Sequence, residues 1–297
     1  MTKPEKPPVC DYEGSDYQTV FWEMGDREYE DQVEALALSR LLPKSGNLML
    51  EIGAGAGRNT TRYQAIEKVV LVDYSATQLQ QAQANLGGDD RYIYVAADVY
   101  RLPFSPGIFD SATMIRTLHH MAEPQLALQQ IRFALQPGAT FILEYANKQN
   151  LKAILRYLLR RQSWSPFTPE AIEFTELNFD FHPKSIRHWL KQSDFTITRQ
   201  LTVSHFRLGI LKRLIPLDIL VKMDGLAQLT GNWWQFTPSV FVATSAIGKT
   251  PITPPDKIFR CIICDQSDFE TTPAAFVCRA CGHEWPLKNG IYDFRLN

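Results

Sequence analysis

The sequence predicts an α/β chain: a Rossmann-like, seven-stranded, mostly parallel sheet with helical cap insertions, followed by a small C-terminal zinc ribbon. Three observations predict it. Short apolar runs alternate with helical stretches between residues 47 and 145, the pattern of a parallel sheet covered on both faces. The first run ends in the glycine-rich turn Gly53-Ala54-Gly55-Ala56-Gly57. Near the C-terminus, Cys261-x2-Cys264 and Cys278-x2-Cys281 are separated by thirteen residues, and two such knuckles offer four thiolates to a tetrahedral metal ion.

The elements follow in order. Residues 17–42 read as a helix, with Phe21, Trp22, Val33, Leu36, Leu38 and Leu41 set among polar residues. Strands are expected at 47–52, 69–72, 92–96, 109–115 and 140–145, and helices from about 58, at 77–85 and at 123–135. Gln136-Pro137-Gly138 reads as the turn before the fifth strand. A first cap insertion, about 146–182, carries a helix at 151–159. A helix at 183–192 and a sixth strand at 195–203 follow. The second insertion, about 208–236, is helical to about 229, and a seventh strand lies at 240–245. Residues 1–247 therefore form the large domain, 248–257 with three prolines a linker, and 258–297 the ribbon.

Composition excludes some classes. The net charge is −1, so there is no global pull toward nucleic acid or anionic membrane. No run reaches the roughly 18 apolar residues of a membrane span. The first ten residues are polar and proline-rich, unlike a signal peptide. Paired cysteines without an export signal point to metal binding in a cytoplasmic protein. One local excess stands out: residues 147–213 hold 12 Lys and Arg against 5 Asp and Glu.

A strand, a glycine turn and a helix aim backbone N–H groups at a ligand. The dinucleotide fingerprint GxGxxG or GxGxxA fails here, because Arg58 or Thr60 stands where its last small residue should be. What is present is Glu51-x-Gly53-x-Gly55-x-Gly57, then Val72-Asp73-Tyr74 ending strand two and Asp98-Val99 after strand three. Taken singly, each acid also suits a solvated strand end, and Asp98 a helix N-cap. As an ordered set they resemble class I S-adenosylmethionine (SAM)-dependent methyltransferases over about residues 17–246. Leu102-Pro103-Phe104, Phe109-Asp110 and Leu118-His119-His120 are similar to the branch that includes quinone-biosynthesis methyltransferases.

The resemblance implies a SAM site made by Glu51, Gly53, Ala54, Gly55, Gly57, Asp73, Tyr74, Asp98, Val99 and Arg116. Asp73 would receive the ribose hydroxyls, Asp98 the adenine amino group, and Glu51 would lie near the positive amino acid end. Arg27 or Tyr29, on the N-terminal helix, would bind the SAM carboxylate or simply pack on the sheet. A general base is needed only for a protonated acceptor. His119, His120 and His182 are the candidates, and the recurrence of His119 across family members equally suits a structural role.

The insertions hold Trp164, Phe167, Phe174, Phe179, Trp233, Trp234 and Phe236, enough aromatic surface to wall an acceptor pocket or to pack a cap. The basic helix from Lys148 to Arg161 suits a solvated face, a phosphate grip, or contact with an anionic membrane carrying a lipid acceptor. A small-molecule or lipid-like acceptor leads. RNA or protein is the alternative, with the ribbon as docking or activating module, and a non-enzymatic SAM-binding scaffold is the third reading. Met114-Ile115-Arg116-Thr117 occupies the place of the Asn/Asp-Pro-Pro-Tyr signature, which disfavours amide or exocyclic-amine methylation.

The ribbon ligands are Cys261, Cys264, Cys278 and Cys281, a closed set for structural Zn2+. With about 40 residues it needs the metal to fold. Trp285-Pro286 and Asn289-Gly290-Ile291 resemble the small zinc-binding activator of tRNA, rRNA and release-factor methyltransferases, without that family's longer helical insertion and with Tyr292 where proline is usual.

Overall fold

The computed structural model describes residues 7–11, 13–14 and 27–296. Helix α1 (Glu28–Leu41) is followed by β1 (Gly46–Ile52), β2 (Ile66–Asp73), α2 (Ala76–Leu86), β3 (Tyr92–Ala96), β4 (Phe109–Met114), α3 (Pro124–Ala134) and β5 (Leu135–Ala146). The first insertion contributes α4 (Leu151–Leu158) and a hairpin, β6 (Ile172–Thr175) and β7 (Asn178–Asp180). Next come α5 (Pro183–Gln192), β8 (Phe195–Val203), α6 (Gly209–Leu214), α7 (Leu217–Ala227) and β9 (Ser239–Ala246). The part of the N-terminal helix expected before residue 27, with Phe21 and Trp22, lies outside the described residues.

The seven expected strands are all present, in the order β3-β2-β1-β4-β5-β9-β8. β9 is antiparallel to both neighbours and the other pairs are parallel. β1 is central, and its two faces feed two cores: Leu48, Leu50 and Ile52 on one side, Met49 on the other. That two-sided burial is why the inner strands read as continuous apolar runs. Local caps set the helix ends. Ser75 accepts from the Gln78 N–H to start α2, Asn150 from the Ala153 N–H to start α4, and prolines 124 and 183 occupy first-turn positions of α3 and α5.

Three local expectations are corrected. No α-helix follows the glycine turn; a single 3-10 turn, Thr60–Arg62, takes its place. Only eight residues remain between Gly57 and β2, and Asn59, Thr60 and Thr61 are weak helix formers. Gln136-Pro137-Gly138 is a bulge inside β5 rather than a turn before it. Phe109 pairs with Leu135 and Ser111 with Thr140, and Gly138 has φ +84°. The second insertion is two helices, because Pro216 breaks the run and caps α7.

The ribbon does not hang free. Its strands are β10 (Phe269–Thr271), β11 (Ala275–Cys278), β12 (Glu284–Lys288) and β13 (Ile291–Asp293). β13 pairs in parallel with β3, Ile291 opposite Tyr94 and Asp293 opposite Ala96, so one sheet runs through eleven strands. Fully buried Trp285 and Phe294 lie in the main core with Phe104. Phe259 stacks on Phe104 and Phe294. The connection at 248–257 is fastened too: Thr253 donates to the Pro106 carbonyl at 2.6 Å.

Candidate active site

A cleft opens at the C-terminal ends of β1, β2 and β4, where parallel sheets bind ligands. Gly53, Ala54, Gly55, Asp73, Tyr74, Val99 and Arg116 line it, together with Arg58, Thr117 and His120. Gly53, Gly55 and Gly57 all have positive φ, a region L side chains seldom occupy. A Cβ on Gly53 would collide with the Thr117 hydroxyl and methyl. The loop must therefore be glycine for the backbone to present its N–H groups to a ligand. Asp73 accepts from the Gly55 N–H at 2.9 Å and the Ser75 N–H at 3.0 Å. Burial raises its carboxyl above its ordinary value, and those backbone donors partly offset this.

The other expected SAM residues do not line the cleft. Asp98 caps the 3-10 turn Val99–Arg101, accepting from the Tyr100 N–H at 2.9 Å. Ala97 and Val99 on either side of it reach the cleft. Gly57 packs beside Leu86. Glu51 is buried beneath the loop, accepting from Thr60 at 2.6 Å and Tyr63 at 3.2 Å. Burial pushes its carboxyl up to about 7, with the Thr60 and Tyr63 hydroxyls acting against the shift. Arg27 lines a different cavity, beside Glu30. Tyr29 is committed elsewhere: it donates to Asp224 of α7 at 2.7 Å and accepts the Phe206 N–H.

The three candidate histidines are placed differently. His119 is not among the lining residues, and burial holds its imidazole well below the ordinary value, with His120 and Arg116 adding to the effect. Its neighbour His120 reaches the cleft, and its Nδ1 is 3.0 Å from the Leu177 carbonyl. His182 is the N-cap of α5; its Nδ1 accepts from the Lys184 N–H at 3.1 Å. Its Nε2 is buried and has no hydrogen-bond partner among the described residues.

Sequence spacing missed the charged frame. Fully buried Glu34 of α1 binds Arg58 at 2.9 Å and also Arg116, while Asp31 binds Arg58 and Arg62. Arg116 has φ +54°, and its N–H donates to Glu144 at 3.0 Å. Glu144 in turn accepts from Ser239 at 2.6 Å. At the end of β7, Asp180 is pushed up to about 6 by burial and the Glu144 charge. No short motif links these residues, so only the fold could reveal them.

A second cavity, of about 960 Å³, lies between the two insertions. Leu151, Leu155 and Leu159 of the α4 segment face Leu208, Trp234 and Phe236 across it, with Arg27, Arg156 and Arg207 at its polar edge.

In the ribbon, the sulfurs of Cys261, Cys264, Cys278 and Cys281 lie within 4.8 Å of one another. The closest pairs, Cys264–Cys278 and Cys261–Cys281, are 3.5 and 3.8 Å apart. Zn–S bonds near 2.3 Å give tetrahedral S···S edges of about 3.8 Å, so the set fits a structural zinc.

Residues 50–143 match the family described as a methyltransferase domain. The chain is 27% identical over 165 residues to a demethylmenaquinone methyltransferase of Clavibacter sepedonicus, covering 54% of this chain and 67% of that one. It is 27% identical over 138 residues to the 27-O-demethylrifamycin SV methyltransferase of Amycolatopsis mediterranei, covering 44% and 51%. These alignments span from about half to two thirds of the relatives' own length. A chain from the complex between the Haloferax volcanii Trm112 methyltransferase activator and a methyltransferase shares the fold. Its TM-score is 0.53 at 18% identity, covering 78% of this chain and 95% of that one.

Proposed function

From the premise that this chain carries a class I SAM-dependent methyltransferase domain, we propose that it methylates a small, lipid-like acceptor held between the cap insertions. Gly53, Ala54, Gly55, Asp73, Tyr74, Val99 and Arg116 would hold SAM. SAM supplies a methyl group already activated on a sulfonium, so the protein has to position the acceptor and exclude water. The observation that carries the acceptor class is the largely apolar cavity of about 960 Å³ walled by both insertions. The named activities of the quinone and rifamycin relatives support a small acceptor. Where the accepting atom is protonated, Asp180 is the group whose acidity suits a base near neutral pH. β7, which carries it, packs against β5 and the Leu118–His120 turn.

Two measurements test the reading. Calorimetry on folded, zinc-loaded protein should give SAM binding that Asp73→Ala weakens; no binding at all would sink the proposal. Incubation with methyl-labelled SAM and cell extract should place the label in the lipid and small-molecule fraction. Label confined to RNA or protein would overturn the acceptor class.

A further inference from the structure

Apolar exposure on this protein is concentrated in one region. Among the described residues, every large hydrophobic side chain exposed to solvent belongs to the two insertions, except Phe133, Ile247, Ile252 and Ile263. Helix α4 shows this most clearly: Ala153 is its one buried residue. Leu151, Leu155 and Leu158 form a single stripe at i, i+4 and i+7, and Leu158 is 66% exposed. In the second insertion, Trp233 is 76% and Leu214 75% exposed. A soluble surface does not normally gather so much contiguous apolar area unless something covers it.

Charge says what covers it. No acid occurs between residues 147 and 169. Lys152, Arg156, Arg160 and Arg161 are exposed, and none pairs with an acid among the described residues. On α4 the cations at 152 and 156 each follow a leucine by one position, so they flank the apolar stripe. That is the pattern of a helix lying in an anionic bilayer surface, apolar side inward and cations at headgroup level. Exposed tryptophans, as at 233 and 234, favour the same interface. The stripe also lines the mouth of the cavity through Leu151 and Leu155, facing Trp234 and Phe236.

We propose that the cap is a membrane-docking surface for an anionic lipid bilayer, with the mouth of the acceptor cavity set into the docked face. An acceptor dissolved in the bilayer then reaches the cavity without crossing water. The inference rests on the methyl-transfer reading for what is delivered, but docking itself is tested without catalysis.

The full chain, zinc-loaded, is sedimented with vesicles of phosphatidylcholine alone or mixed with phosphatidylglycerol. Expected are at least about tenfold stronger partitioning onto the anionic vesicles, weakening as salt is raised, and a blue shift of tryptophan emission. Arg156→Glu with Arg160→Glu should lose about tenfold in partitioning, and Leu155→Glu with Leu158→Glu should abolish it. All four side chains are already solvent-exposed, so both variants should keep the wild-type melting temperature and SAM affinity. Equal partitioning on both vesicle types, or full binding by either variant, overturns the proposal. So does a solution dimer that the leucine variants disperse. A wild type that docks as expected but binds no SAM would instead strike the methyl-transfer reading.

Discussion

Glu34 is one carboxylate holding two walls of the cleft, and replacing it with alanine should be felt in both. The side chain is fully buried in α1. It takes Arg58 from beside the glycine loop and Arg116 from the end of β4. Removing one partner of a buried pair leaves uncompensated charge and costs about 3–5 kcal/mol. Here the two arginine side chains are 15% and 16% exposed, and Arg58 keeps Asp31. The lower end, about 3 kcal/mol, is therefore expected for Glu34→Ala. Glu34→Gln, which keeps the shape and one acceptor, should cost roughly half of that. Urea unfolding at neutral pH measures the loss. Calorimetry with SAM measures the second effect: because Arg58 and Arg116 line the cleft, affinity should fall about tenfold, or 1.4 kcal/mol. The acid limb supplies the sign. Burial pushes the Glu34 carboxyl up, but Arg116 and Arg58 outweigh it and hold it below its ordinary value of 4.5. Its stabilisation is present above that value and lost as pH falls through the folded pKa, so the gap between wild type and variant should narrow in acid. A Glu34→Ala protein within about 0.5 kcal/mol of wild type would refute the energetic argument. A destabilised protein with unchanged SAM affinity would refute the positioning argument.

Glu51 has the opposite sign. Its folded pKa of about 7 stands above its ordinary 4.5, so stability should fall by about 3 kcal/mol as pH rises from about 5 to 8. Glu51→Gln should flatten that slope in chemical denaturation, and an unchanged slope would count against a neutral buried carboxyl. Gly53→Ala forces a side chain onto Thr117 at φ +68°, so calorimetry should find SAM binding lost; retained affinity would show that the loop can yield. Metal analysis should find one zinc per chain, absent in Cys278→Ser. That variant should also bind SAM more weakly, because Arg295, just beyond β13, donates to the Tyr74 carbonyl at 3.0 Å and lies over the Tyr74 ring. Arg295→Ala should weaken SAM severalfold and keep its zinc, and full SAM affinity in both variants would sever ribbon from cleft.

What could be read from the sequence was local. Strand periods, the glycine loop, Asp73 and the paired cysteines each announce themselves within a few residues; in the structure the loop and Asp73 meet in one cleft and the four cysteine sulfurs come together. Some local signals have two physical meanings. His182 precedes a proline-started helix, and such a place suits a cap as well as a base. Gln136-Pro137-Gly138 can end an element or bulge within one; with no N–H on Pro137 and Gly138 at positive φ, the sheet absorbs it. Invisible altogether were contacts between distant positions: Glu34 with Arg116, Asp180 near Glu144, and the α4 stripe facing Trp234.

The ribbon shows the same limit most sharply, and it changes what the Leu102-Pro103-Phe104 segment means. As sequence, that segment is a family mark downstream of Asp98. In the fold it is the seat of the ribbon: the Pro103 carbonyl accepts from the Arg260 N–H at 2.9 Å, the Ser105 N–H donates to the Ile258 carbonyl at 2.9 Å, and Phe104 pairs with Phe259. An open edge on β3 would leave a row of backbone groups ready to pair with another chain. β13 covers it, and the Phe294 N–H donates to the Ala96 carbonyl at 2.8 Å. Ala96 immediately precedes Ala97, which lines the cleft together with Val99. A metal held by the four cysteines would therefore also order that wall, through β13 and the Pro103–Ser105 seat together. Chelation should then lower SAM affinity before it unfolds the sheet, and the two effects should separate in a titration that follows cofactor binding and far-ultraviolet circular dichroism side by side.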